Sequence, residues 1–451
     1  MPQFSNQRKL LEQKSILKII LLLALTRGVF YALIVPPWQA SDEPAHFERV
    51  RAAFSASDWT ATSENPPAWY DELRDGLVTF KFSDFITIPT ANSPTAPLNQ
   101  YIGLYQEIYN GLYGSRVSYI FMGLPLIFGP NQPVISQLYW VRINTILMGV
   151  GIIVFAYLTT RLIFPDSHFL SLGVPLLILF NPQHTHLLST LNNGNLAELL
   201  VTISLYVAVY GLLHGFSIIT VLALLFFSVS AMWTKATAYF MIVPLGLLGL
   251  LYMLGRYRHQ WRWVSLGSVI LAGVVFFLAP ARLGLLANEA WRLITAGDFY
   301  FNRSVPITIF QSYWGLPGWL TIHLHPFWYQ LLVILCGLGL IGLARLVWRQ
   351  RRLILDFDAR IQALLVLAAA TGATLGLQLG WHILTGTEAY QQGRTLYPVM
   401  VPISIFMLMG WRELVPSAWR LTSLLTITVG LFLFDAFVMF SHIIPFFYVR
   451  Y

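Results

Sequence analysis

A small set of side chains in this 451-residue sequence could do acid–base or phosphate chemistry. Asp42 and Glu43 are adjacent carboxylates with His46 close behind, in the run Pro36-Pro37-Trp38-Gln39-Ala40-Ser41-Asp42-Glu43-Pro44-Ala45-His46-Phe47-Glu48. A carboxylate such as Asp42 can take a proton from a hydroxyl as a general base, or hold a hard divalent cation such as Mg2+ or Mn2+ together with Glu43. Lys235 and Arg394 are cations beside apolar runs. Either could neutralise a phosphate, arginine through paired donors and lysine as a point charge. Plainer roles compete with each of these. Ser-Asp-Glu-Pro is also an ordinary way to begin a helix, Lys235 could snorkel from a helix end, and Arg394 could anchor the chain at an interface.

The elements that must position these groups are membrane helices. The composition is 56% hydrophobic and only 11% charged, whereas a soluble domain is nearer 25% charged. Ionisable groups beside a bilayer are costly and so mark candidate sites. Apolar runs long enough to span, or nearly so, lie at about 16–35, 138–160, 169–180, 196–214, 216–232, 237–255, 263–281, 327–345, 361–381, 396–411 and 421–440. The expectation is an all-α polytopic protein forming a single integral membrane domain over 1–451, with about eleven spans in a range of ten to thirteen. Basic clusters such as Arg256–Arg262 and Arg345–Arg352 then fall on one side. The positive-inside rule puts the N-terminus in the cytoplasm, the C-terminus outside, and Asp42 and Glu43 on the outer face.

Residues 36–133 form a large outer loop and 283–326 a second one. Within the first, Ala45–Ala56 has apolar residues at helical spacing and reads as a helix lying along the membrane surface, and Tyr119–Phe128 as a re-entrant or surface helix. Stretch 87–97 is loop. The same side collects His184, His186, Asn192, Asn193, Asn195, Glu198, Tyr313, Trp314, His323, His325 and the run from Glu388 through Gln392 to Arg394. Converging, they would make an outward cavity able to bind an amphiphile with a charged head. Tyr313 and Trp314 could stack on a sugar or belong to the aromatic belt.

The His-x-His pairs at 184/186 and 323/325 lack a third ligand at motif spacing, which speaks against zinc. The net charge of +8 comes from scattered loop residues and does not indicate nucleic acid, and the single Cys336 gives no disulfide framework. No phosphate-binding or dinucleotide-binding glycine motif is present, nor a hydrolase elbow. No cytoplasmic domain is present for a nucleotide-sugar, so a sugar transferred outside would come from a lipid-linked donor.

Four segments resemble a family of bacterial polytopic membrane proteins of unknown function, DUF2142: 36–47 quoted above, Leu188-Ser189-Thr190-Leu191-Asn192-Asn193-Gly194-Asn195, Ser312-Tyr313-Trp314-Gly315-Leu316-Pro317-Gly318-Trp319, and Gln392-Gly393-Arg394-Thr395-Leu396-Tyr397-Pro398. That family looks related to the GT-C membrane glycosyltransferases, which carry an acidic motif in the first outer loop. The resemblance implies a GT-C-like fold with juxtamembrane helices in 45–130. It also implies inverting transfer from a polyprenyl-phosphate-sugar donor to a glycan, lipid or protein acceptor at the outer face of a bacterial inner membrane. Asp42 is then the base, with Glu43 assisting or binding metal. Arg394 and Lys235 hold the donor phosphate, and His46, Asn192, Asn195, Tyr313, Trp314 and Gln392 contact sugar or acceptor. Asn192–Asn195 stands where the family often has an aspartate, so a second metal carboxylate is not assured.

Overall fold

In a bilayer the backbone must satisfy its own hydrogen bonds, so apolar runs of this length become helices. The computed structural model describes residues 2–60, 67–85, 115–256, 304–354, 358–385 and 392–449, and no strand occurs among them. The helices that matter for the site are α1 (Pro2–Ile34), α2 (Glu43–Ala52), α3 (Tyr70–Thr79), α4 (Arg116–Met122), α5 (Val134–Ile163), α6 (His168–Leu179), α7 (Pro182–Leu188), α8 (Asn193–His214), α9 (Ile218–Thr234), α10 (Ile242–Arg256), α11 (Ser304–Trp314), α12 (Pro326–Ile354), α13 (Ala359–Thr385), α14 (Met400–Leu414) and α15 (Arg420–Val438).

Among the described residues eight helical segments are long and apolar enough to cross a membrane: Ser15–Ile34, Val134–Ile163, Asn193–His214, Ala236–Met253, Pro326–Arg352, Ala359–Gly380, Gly393–Leu414 and Ser417–Tyr448. The shorter apolar helices His168–Leu179 and Ile218–Thr234 fall on two further runs expected from the sequence. By length and composition this is an all-α, multi-pass membrane protein. The expected run 263–281 lies outside the described residues, as do Glu388, the 87–97 loop and the cluster 257–262.

Helix α5 packs against α1, α6 and α8, and α8 in turn against α9 and α13. Helices α12 and α14 cross where both are small. A Cβ on Gly342 would sit 2.0 Å from the Gly410 carbonyl oxygen, so the backbones touch, as small residues allow between membrane helices. The first and last spans are tied by charge inside the bundle. Arg27 Nε donates to Asp435 Oδ2 at 3.0 Å, the Tyr31 hydroxyl donates to Asp435 Oδ1 at 2.7 Å, and Arg27 Nη1 donates to the Leu179 carbonyl and to Thr185 Oγ1.

Beyond the spans, a second apolar cluster gathers Trp38, Phe47, Leu73, Leu77, Tyr119, Met122 and Leu138, joining α2, α3 and α4 to the end of α5. This changes the expectation for α2. The helix begins at Glu43, two residues before the expected start, and ends at Ala52. Nine of its ten residues are buried, so protein encloses it. Segment 119–128 is short helix: α4 gives way to a 3-10 turn, Leu124–Phe128, with Phe121, Ile127 and Phe128 exposed. The polar run 183–186, expected on the outer side, is the buried helix α7, started by Asn181 accepting from the His184 N–H at 2.9 Å with Pro182 in its first turn.

Candidate functional site

The connection from α1 to α2 holds the geometry of the site. Asp42 occupies the cap position of α2, and its carbonyl accepts the His46 N–H at 3.0 Å. A capping side chain ordinarily sits on extended backbone, but Asp42 is left-handed, at φ 64° and ψ 7°, and makes no side-chain cap bond. The Asp42 carboxylate is therefore not spent on the helix. Its Oδ2 meets Arg394 Nη2 at 2.6 Å, with the two side chains 21% and 20% exposed. Aspartate tolerates this backbone region; a tryptophan there is a genuine outlier, and Trp38, at φ 72°, is one. Strain of this kind, about 1–3 kcal/mol per residue, collects where function needs a fixed loop.

Glu43 faces the opposite way. It is fully buried and both of its oxygens are occupied. Oε1 accepts from Arg142 Nε at 2.8 Å and from the Leu191 N–H at 3.1 Å; Oε2 accepts from Arg142 Nη2 at 2.6 Å and from the Trp38 N–H at 3.0 Å. Two adjacent carboxylates that look equivalent in the sequence thus divide their duties. Asp42 faces a cation at the site, and Glu43 holds structure. A cation bound by Asp42 and Glu43 together, whether Mg2+ or Mn2+, does not fit this arrangement, because guanidinium and amide N–H groups already fill the oxygens of Glu43. Among the described residues no cluster of three or more His, Cys, Asp or Glu side chains offers another metal site.

Lys235 follows α9 on extended backbone and approaches the start of α8. Its Nζ lies 3.4 Å from Asn192 Oδ1, which also accepts the Gly194 N–H at 2.8 Å. The Asn192 side chain is 4% exposed, and its Nδ2 has no hydrogen-bond partner. Cation, amide donor and the N-terminal end of a long helix thus share one corner, a setting that favours an anion. His46 Nδ1 is 3.0 Å from the Tyr119 hydroxyl.

No family model matches this chain, and no curated protein does. The site must therefore be read from its own chemistry. Burial raises the Asp42 carboxyl, but the Arg394 charge and hydrogen bond, with lesser contributions from other neighbouring groups, together outweigh it and leave the group below the usual aspartate value. Burial pushes the His46 imidazole down to about 3, so it is a neutral hydrogen-bonding group at physiological pH. Burial, aided by Arg394 and opposed by Asp42 and Glu198, brings the Lys235 ammonium down to about 7.

The remaining expected residues sort by what they touch. Gln392 has a side-chain Oε1 with no hydrogen-bond partner, while its carbonyl accepts from Gln378 Nε2 at 2.9 Å. Asn195 is structural, donating through Nδ2 to the Leu187 and Thr190 carbonyls, both at 2.9 Å. Tyr313 and Trp314 are core residues, 7% and 3% exposed, and neither presents a face to a sugar or to lipid headgroups. The Tyr313 carbonyl is held by Asn181 Nδ2 and the Tyr397 hydroxyl, both at 3.0 Å. His184 pairs with Glu198 at 2.7 Å, whereas His186 Nε2 accepts the Gly318 N–H at 3.2 Å. The two histidines serve different partners.

Gly393 lets the Arg394 segment reach α11. Its N–H donates to Ser312 Oγ at 2.7 Å, and a Cβ there would lie 2.1 Å from the Tyr313 backbone nitrogen. Overpacking costs about 1–3 kcal/mol, and backbone cannot yield as a side chain can. Gly393→Ala should therefore lower the thermal midpoint in detergent clearly, while Gly372→Ala, where nothing lies within 4 Å of the new carbon, should leave it unchanged or slightly raised. Equal midpoints for the two variants would refute the close approach.

Arg142 does not stand out in the sequence, although its side chain makes five hydrogen bonds. The available signal was an arginine within the apolar run 138–160, since ionisable groups inside spans are rare and purposeful. Arg27, Asp435 and Glu198 carry the same signal.

Proposed function

We propose that this chain is a GT-C-like membrane glycosyltransferase of about eleven spans, taking a sugar from a polyprenyl-phosphate donor and placing it on an envelope glycan, lipid or protein acceptor at the outer face of a bacterial inner membrane. What carries the reading is the meeting of Asp42 with Arg394 at 2.6 Å. The acidic residue of the first loop and the basic residue of the distant 392–398 segment form one charged centre, with Lys235 and Asn192 alongside.

In the reaction, Asp42 takes the proton of an acceptor hydroxyl as that oxygen bonds to the anomeric carbon. The bond from that carbon to the lipid phosphate breaks on the opposite face, and the configuration inverts. The phosphate leaves with one more negative charge, which Lys235, Arg394 and the Asn192 amide offset. Donors already in place where charge develops do not reorganise during the reaction. No acid is needed for the leaving group, unlike the two-carboxylate scheme of glycosidases.

The test is transfer of labelled sugar from synthetic polyprenyl-phosphate-sugars by purified protein in nanodiscs, with Asp42→Asn in parallel and each arm run with and without a divalent cation. Transfer by the wild type that Asp42→Asn loses is the expected result. Transfer undiminished in Asp42→Asn would overturn the assignment of the base.

A pH dependence follows from Lys235. A lysine near 7 is cationic below that pH and loses its charge above it, so kcat/KM for the donor should fall on the alkaline side with an apparent pKa near 7. The limb should move to higher pH in Lys235→Arg, whose charge persists. An unchanged alkaline limb in that variant would remove Lys235 from phosphate binding.

A second reading has its own observation. Buried ionisable groups continue into the bundle as His184 with Glu198 and Arg27 with Asp435, as they would in a transporter or flippase for a lipid-linked glycan. Movement of labelled lipid-linked glycan across proteoliposomes, with no sugar transferred, would favour it.

A further inference from the structure

We propose that Arg142 is a positioning residue for the reaction, fixing Asp42 through Glu43; the inference rests on Asp42 being the base. Arg142 lies on α5, has no solvent exposure and does not approach the charged centre through any hydrogen bond of its own. All five of its N–H donors find acceptors. Nε and Nη2 take the two oxygens of Glu43 at 2.8 and 2.6 Å, Nη1 takes the Ala32 and Val35 carbonyls, both at 2.7 Å, and the second Nη2 hydrogen takes the Pro36 carbonyl at 3.1 Å. A guanidinium has five donors in a rigid plane, and a carboxylate about four acceptor directions. Here both sets are filled.

The groups held this way are informative. Three are carbonyls at the end of α1, where a helix presents its negative pole. The others are Glu43 and, through it, the Trp38 and Leu191 N–H groups. Arg142 therefore pins the chain just before and just after the segment Gln39–Asp42. Between those pins Ser41 Oγ donates to the Gly318 carbonyl at 3.0 Å, and the positive φ of Trp38 and Asp42 turns the backbone so that neighbouring carboxylates face apart. Asp42 cannot move without drawing on Glu43, and Glu43 cannot move without breaking the fork. A lysine keeps the charge but has three donors and no plane.

Arg142→Lys is the deciding variant. Misplacing a catalytic group by about an ångström can cost 10²-fold, so kcat per folded protein should drop by roughly that factor while donor KM stays within about threefold, because Lys235 and Asn192 are untouched. The acid limb of kcat/KM should also move upward as Asp42 in the free protein loses its fixed approach to Arg394. A purely structural role would lower the yield of folded protein without shifting that limb.

Hydrogen exchange supplies a readout that does not need activity. The Trp38 and Leu191 amides should lose protection in Arg142→Lys while the amides within α5 and α8 keep theirs. Glu43→Gln, nearly isosteric, should act in the same direction and serves if the lysine variant does not fold. Protection retained at Trp38 and Leu191 in both variants overturns the proposal, and so does lost protection with kcat and the acid limb unchanged. A wild type that transfers no sugar from any lipid-linked donor overturns the proposed reaction instead, and exchange then decides whether Arg142 anchors the loop.

Discussion

Asp42→Asn should reduce sugar transfer by about 10²–10⁴-fold, the range associated with loss of a general base. The substitution is mild in every other respect. Asparagine accepts the left-handed backbone found at position 42, and its side-chain oxygen can still receive a hydrogen bond from Arg394. Folding and thermal midpoint should stay near those of the wild type. Removing one negative charge beside Arg394 and Lys235 leaves the centre more positive, so donor binding should be unchanged or tighter. A fall in kcat with donor KM unchanged is the pattern of an interaction made only in the transition state. Turnover within a few-fold of wild type would show that another group takes the proton.

The second large effect concerns stability. Asp435→Asn removes the charge that balances Arg27 in a site where the two side chains are only 8% and 12% exposed. Breaking a buried pair from one side costs about 3–5 kcal/mol, because the remaining charge is left uncompensated. Arg27→Met should cost a similar amount, since Asp435 then keeps only the Tyr31 hydroxyl. The double variant Arg27→Met with Asp435→Asn should recover most of the loss, because neither charge remains. A double-mutant cycle on unfolding in mixed micelles measures this, with a large coupling expected between the sites. Single variants that unfold within about 1 kcal/mol of wild type, well below that cost, would mean that the pair does not hold the first and last spans together.

The helices were legible in the sequence because a bilayer leaves an apolar run almost no alternative. Asp42, Lys235 and Arg394 were legible because isolated charges beside such runs are conspicuous. The fate of Glu43 was not. Side-chain direction at positions 42 and 43 depends on one left-handed residue, and nothing in Ser-Asp-Glu-Pro announces it. Its partner Arg142 was hidden for a related reason: counting basic residues by loop sets topology but passes over a charge within a span. Tyr313 and Trp314 show a further limit. An aromatic with an apolar body and a polar handle suits a membrane interface and a packed core equally well, and only the burial of both residues in the folded chain decides which applies. The α7 helix is hidden because polar residues near a proline look like a loop; Asn181 turns that proline into a helix start.

The contact between Asp42 and Arg394 also has a temporal side. A base whose lone pair is engaged by a guanidinium is a poor base, held below its ordinary basicity. An arriving phosphate competes for that guanidinium, and each gain in its hold on Arg394 loosens the grip on Asp42. The carboxylate then stands in a desolvated place with less compensation, which strengthens it as a proton acceptor. On the proposed reaction, substrates would enter in sequence, lipid donor first and hydroxyl acceptor second. An acceptor arriving alone would meet a base still engaged by Arg394, so the enzyme would not activate a hydroxyl, or a water molecule, before a sugar is there to receive it.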